Sequence, residues 1–197
     1  VQSGLCHKYA SWPVVSTTGG PNDTNWTEEL KNFYHQNVGG TAPWAVSNSN
    51  PATGCPNSES VWNWLKATQL DGQTLDQHIQ ANLKGIVTVA NRYSPSVRII
   101  NMGYPYVLDA SNVCSNDIVG WHGARSVINA LNANHVAVTD SNVHYICLTG
   151  TPGNGCTSGT GGFGQNPVTS GYLQLRRLYG YPHPVDLGQT TMANMVV

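Results

Sequence analysis

One stretch constrains the fold more than any other: "TLDQHIQANLKGIVTVANRYSPSVRIINMG", residues 74–103. Leu75, Ile79, Leu83, Ile86, Val87 and Ala90 recur at helical spacing, which makes one apolar face. Thr74 and Gln77 stand three apart at its start, the spacing of a capping box. Ser94–Pro95 stops the helix, because proline cannot continue it and restricts the residue before it. The β-branched run "SVRIINMG" then reads as a buried strand that delivers the loop "GYPY" at 103–106. A second helical pattern follows at Ile118, Trp121, Arg125, Ile128 and Leu131, and "HVAVTD" (135–140) reads as another strand. Helix, strand, loop, helix, strand is the rhythm of a parallel α/β sheet. In such sheets the loops at the carboxyl ends of the strands carry the site.

The flanks fit around this centre. "PVVSTTGG" (13–20) predicts a short buried strand running into a glycine turn. Residues 39–60 predict a long ordered loop, functional or tied down by a disulfide. Residues 149–166 are too rich in glycine for regular structure. "PVTSGYLQLRRLYG" (167–180) predicts a short helix ending at Gly180, and a last helix starts near Asp186, which could cap it. No internal repeat and no linker divide the chain, so residues 1–197 are read as a single α/β domain.

Composition narrows the function. Nine basic and ten acidic residues form no basic stripe, which argues against nucleic acid as a partner. Charged residues are 10% of the chain, against roughly 25% in an average soluble protein. A polar but uncharged surface of this kind suits a secreted protein. No apolar run reaches the ~20 residues of a membrane span. The chain starts at Val1 with neither an initiator Met nor a signal peptide, as a mature or processed chain would.

Five cysteines point to an oxidising compartment. Cys147 and Cys156 bracket "LTGTPGNG", a loop that a disulfide could close. Cys55 and Cys114 lie in turn-like loops, and the C-x-x-C spacing of zinc and redox sites is absent. Two disulfides leave Cys6 odd, either free or bonded outside this chain. Sequons at Asn22 and Asn25 are consistent with secretion, Asn25 being the glycosylation candidate.

Two stretches could carry chemistry. In "YPHPVDLGQTTMA", Pro182 and Pro184 fix the backbone on both sides of His183. A general base needs that fixity, since it must reach its proton donor within about 3 Å. In "STTGGPNDTNW", the glycines let backbone approach a ligand and Asn22 could aim its amide at developing oxyanion charge. The bland readings are a structural loop histidine and a glycine–proline turn with an Asx cap. Other candidates are a Cys6–His7 thiol nucleophile, a metal site using His135 and His144, and sugar stacking on Trp26 and Trp44. Trp62 and Trp64 read as core or loop anchors.

"GGPND" after a strand, "YSPSVRIINMGYPYV" and "HPVDLGQTTMANMV" resemble, in this order, blocks of the SGNH (GDSL) esterases and lipases. The resemblance runs from about residue 13 to the end. It implies a three-layer αβα sandwich with a mostly parallel sheet. It also implies hydrolysis of esters by a serine nucleophile, with no cofactor and no metal. His183 is then the base, Asn22 an oxyanion donor, and bridges Cys55–Cys114 and Cys147–Cys156 are expected.

The chain departs from the family in two ways. The family often has an Asp three residues before its histidine; Gly180 stands there, so its backbone carbonyl would orient the ring. No Gly-Asp-Ser occurs anywhere in the sequence. Were Gly-Asp-Ser to precede Val1, Gly4 would fall on the last glycine of the G-D-S-x-x-x-G block, as a second oxyanion donor. The first strand and the serine are therefore expected on an upstream or separate segment, which Cys6 could hold by a disulfide. The expectation is a secreted carboxylic ester hydrolase, with a short-chain or carbohydrate ester favoured. A reading of another class is an SGNH-like binding or structural domain that has lost its nucleophile.

Overall fold

A computed structural model describes residues 14–17, 55, 58–150, 162–176 and 181–196, with backbone alone for 14–17, 174–176 and 181–183. In chain order the elements are β1 (Val14–Thr17), α1 (Ser58–Lys66), α2 (Leu75–Tyr93), β2 (Arg98–Met102), α3 (Ala124–Val136), β3 (Val143–Ile146), β4 (Leu173–Arg176), β5 (Tyr181–Pro184) and α4 (Asp186–Val196). The chain is mixed α/β.

β1, β2 and β3 form a parallel sheet in that order. Ile99 of β2 registers with Val15 on one side and with Val143 on the other. α1 and α2 connect β1 to β2, and α3 connects β2 to β3, so all three carboxyl ends share one edge. β4 and β5 form a separate antiparallel pair, with His183 opposite Gln174.

The expected central helix forms as α2. Thr74 caps it reciprocally with Gln77: the Gln77 N–H donates to Thr74 Oγ1 at 3.3 Å, and the Thr74 N–H donates to Gln77 Oε1 at 2.7 Å. Ile79, Leu83, Val87 and Ala90 are its buried stripe. Val61 and Leu65 of α1, with Val127, Ile128 and Leu131 of α3, complete one apolar cluster around Ile99. Ile100 and Met102 alternate to the other face of β2 and are buried too.

Four expectations change. Residues 58–60 begin α1 rather than ending a loop. The helix expected from Ile118 starts only at Ala124. Ile118 and Trp121 instead close a tight turn through reciprocal backbone bonds, and Asp117 Oδ1 accepts from the Gly123 N–H at 2.8 Å just ahead of α3. "HVAVTD" is not a strand: α3 continues through Val136, and the strand forms seven residues after Val136, at Val143. Periodicity cannot separate a short apolar run in a helix from one in a strand. "PVTSGYLQLRRLYG" is not a helix: both the Tyr172 and Leu173 N–H groups donate to Pro167 O at 3.0 Å, and the chain leaves that turn as β4.

Cys55 and Cys114 are bridged, with Cα atoms 5.4 Å apart. The bridge closes a sequence separation of 59 residues, which in the chain-entropy picture stabilises by about 4 kcal/mol. Cys147 is also disulfide-bonded. Cys6 and Cys156 lie outside the described residues.

Candidate site at the carboxyl edge of the sheet

β2 delivers Gly103-Tyr104-Pro105-Tyr106 at the carboxyl edge, as expected. The loop is fastened from below by α3. Asn132, fully buried, donates from Nδ2 to Tyr104 O at 2.9 Å and accepts the Tyr104 N–H on Oδ1 at 2.7 Å. One turn earlier, Asn129 Oδ1 accepts the Tyr106 hydroxyl at 3.0 Å. One turn earlier again, the Arg125 guanidinium lies over the Tyr106 ring, 4.0 Å from its centroid. Gly103 itself has no room for a side chain. A Cβ there would collide with the Tyr145 hydroxyl and stand 2.9 Å from Asn132 Oδ1.

A second fastening joins this loop to the segment that leads into β4. Asp109 accepts the Val168 N–H at 2.8 Å and the Thr169 N–H at 3.0 Å, and it also takes the Thr169 hydroxyl. Arg125 donates to both the side chain and the backbone of Gln165, the latter at 2.7 Å. The Ala110 N–H donates to Gln165 O at 3.0 Å. Burial pushes the Arg125 pKa down, while Tyr106 and Asp109 draw it back up. At its far end the segment meets α4. The Val185 N–H donates to Tyr172 O at 3.1 Å, and Gly188 packs so closely on Tyr172, Pro184 and Phe163 that a Cβ would be 3.2 Å from Phe163 Cζ.

His183 thus sits on a strand rather than in a loop, at the end of a continuous chain of contacts from the β2 exit. Asn22, Gly4, Gly180, Asn25, Trp26 and Trp44 lie outside the described residues. No protein-family model, curated protein or solved structure matches this chain.

Sequence reading missed a second histidine. The His122 ring Nδ1 is 2.8 Å from Glu59 Oε2, and that oxygen also accepts the His122 N–H at 2.7 Å. The imidazole stacks on Trp62, with centroids 4.2 Å apart, and the ring remains 35% exposed. Burial alone would raise the Glu59 pKa, but the His122 backbone and ring and Asn63 together hold it below its ordinary value. The pair ties the start of α1 to the start of α3. Trp62 is therefore a packing residue, as expected, whereas Trp64 is 56% exposed and lies outside the apolar cluster of the described residues.

The histidines weighed as metal ligands separate. His135 is fully buried, its Nδ1 2.6 Å from Asn101 Oδ1, and its carbonyl accepts from Asn101 Nδ2 at 2.7 Å. His144 is exposed on β3. Among the described residues no group of three or more His, Cys, Asp or Glu side chains could hold a metal ion. No helix among them is long and apolar enough to cross a membrane.

Proposed function

We propose that the chain forms the larger part of a secreted serine ester hydrolase of the SGNH type, folded as a three-layer αβα sandwich. The observation that carries this reading is the "GYPY" loop, locked at the carboxyl end of the central parallel strand and fastened through 162–172 to the strand bearing His183. Burial of Ile100 and Met102 on the face away from α2 and α3 supports a third layer. The bridged Cys55–Cys114 pair and the oxidised Cys147 support secretion.

In this reading a serine Oγ attacks the acyl carbon and His183 takes its proton. Asn22 and the Gly4 N–H hold the oxyanion, and the Gly180 carbonyl orients the ring. Collapse of the tetrahedral intermediate expels the alkoxide, which leaves with the proton from His183. Water, activated by the same imidazole, then releases the acid. The sequence contains no Gly-Asp-Ser, so the serine is assigned to a segment outside these residues, with Cys6 as its candidate tether.

The same lack of Gly-Asp-Ser favours a second reading, an SGNH-like binding or structural domain. Two measurements separate them. Hydrolysis of p-nitrophenyl acetate and of an acetylated sugar should fall by at least about 10³-fold in His183→Ala, with thermal stability unchanged. Intact mass without reductant should show a second peptide on Cys6. A free Cys6 thiol together with no ester turnover selects the binding domain.

A further inference from the structure

We propose that Asp109 is a positioning residue for His183, a role that rests on the hydrolase reading given above. Asp109 lies seven residues after the end of β2, on the loop whose earlier part α3 locks in place. Its carboxylate is the acceptor for three donors of one turn, the Val168 N–H, the Thr169 N–H and the Thr169 hydroxyl. That turn feeds directly into β4, because the Leu173 N–H donates back to Pro167 O at 3.0 Å. β4 in turn fixes β5 by antiparallel register, with Gln174 opposite His183. The Asp109 backbone is itself held, since its carbonyl accepts the Ser115 hydroxyl, next to the bridged Cys114.

Two prolines fix the φ angles beside His183, but they cannot place its strand in space. Among the described residues β5 pairs with β4 and not with the parallel sheet, so the sheet does not place it either. Asp109 supplies a three-point link between the sheet's carboxyl edge and this separate hairpin. Arg125 with Gln165 is a second link four residues earlier than Thr169, and together they oppose rotation of the turn as well as its translation. A carboxylate suits the task because an ionised acceptor makes stronger bonds to N–H and O–H than a neutral one. A shift of about 1 Å in a catalytic group can cost on the order of 10² in rate. Losing the link therefore acts on catalysis before it acts on folding.

The test uses the full protein with Asp109→Asn and, separately, Thr169→Val, which removes one of the three donors and leaves Asp109 in place. The expected result is kcat lowered about 10²-fold for Asp109→Asn and less for Thr169→Val, with KM within about twofold for both. Backbone amide exchange in β4 and β5 should rise, and the His183 ring resonances should shift, while exchange in α2 and α3 stays as in the parent. Unchanged kcat, or exchange raised evenly across α2 and α3, overturns the positioning role. If the parent protein shows no ester turnover, the hydrolase reading fails. The exchange and ring-resonance comparison still decides whether Asp109 places His183.

Discussion

Asn132 on α3 satisfies both backbone groups of Tyr104, accepting its N–H at 2.7 Å and donating to its carbonyl at 2.9 Å. A side-chain amide is the one group that can imitate a strand neighbour in this way, with a donor and an acceptor side by side. The chain leaves β2 at this point, so Asn132 extends the hydrogen bonding of the strand into the loop. Asn132→Ala removes both of these part-buried bonds to Tyr104 and should cost roughly 2–4 kcal/mol. Asn132→Asp keeps the acceptor but faces an oxygen to the Tyr104 carbonyl, and should cost a similar amount. Urea denaturation of both variants measures the loss. A change within 0.5 kcal/mol (~ the scatter of a surface substitution) would show that the loop holds itself.

Gly103 and Tyr145 compete for the same space. Gly103→Ala should destabilise by about 1–3 kcal/mol, because both the Tyr145 hydroxyl and Asn132 Oδ1 are in the way. The Tyr145 hydroxyl is buried with no hydrogen-bond partner among the described residues. Tyr145→Phe alone should thus be neutral or stabilising by up to about 1 kcal/mol, and it should restore part of the loss in the double variant. Burial also pushes the Tyr145 pKa up to about 12. The folded state then holds its proton more tightly than the unfolded state, so this residue lowers stability as pH rises from about 10 towards 12. Tyr145→Phe should flatten that alkaline limb in thermal melts. An alkaline limb identical to that of the parent would contradict the assignment.

Glu59 contributes to the acid limb. Its pKa is held below the ordinary value of 4.5 despite the opposing effect of burial. The unfolded state therefore binds the proton first as pH falls. The stability Glu59 contributes is fully present above about pH 4.5 and is lost as pH drops through its folded pKa. Glu59→Gln should lower stability by about 1–2 kcal/mol near neutral pH and make the decline below pH ~5 shallower. Melting curves across that range check the sign. An acid limb unchanged by the substitution would mean that the His122 contact does not bias the carboxyl group.

The centre of the fold was legible because its elements are long or strongly patterned. α2 carries its apolar face, its capping box and its Ser–Pro stop in one continuous stretch, and β2 follows as an unbroken β-branched run. The errors fall where an apolar run is short. Val136 and Val138 sit among residues that suit a strand, yet α3 runs through Val136, the Ala137 N–H donates back to Ala133 O, and Val138 lies just past the helix end with its N–H on His135 O. The pairing that makes 173–176 a strand comes from β5, and nothing local to that stretch shows it. Of the candidate site, the loop and His183 were visible as motifs. Their fastening was not, although Arg125, Asn129, Asn132 and His135 recur every three or four residues along one side of α3. That polar stripe is the signal in the sequence. It was obscured because polar residues on a helix ordinarily mark the solvent face. Glu59 and His122 lie 63 positions apart, and no local pattern joins them.

The proposed hydrolase needs His183 to serve a serine outside these residues. A serine-directed phosphonate, added to the full protein and followed by intact mass without and with reductant, tests it most directly. The expected result is one adduct, carried on a serine outside residues 1–197 and formed at least about 10³-fold more slowly in His183→Ala. No adduct on the parent protein, or an equal rate of labelling in His183→Ala, would contradict it.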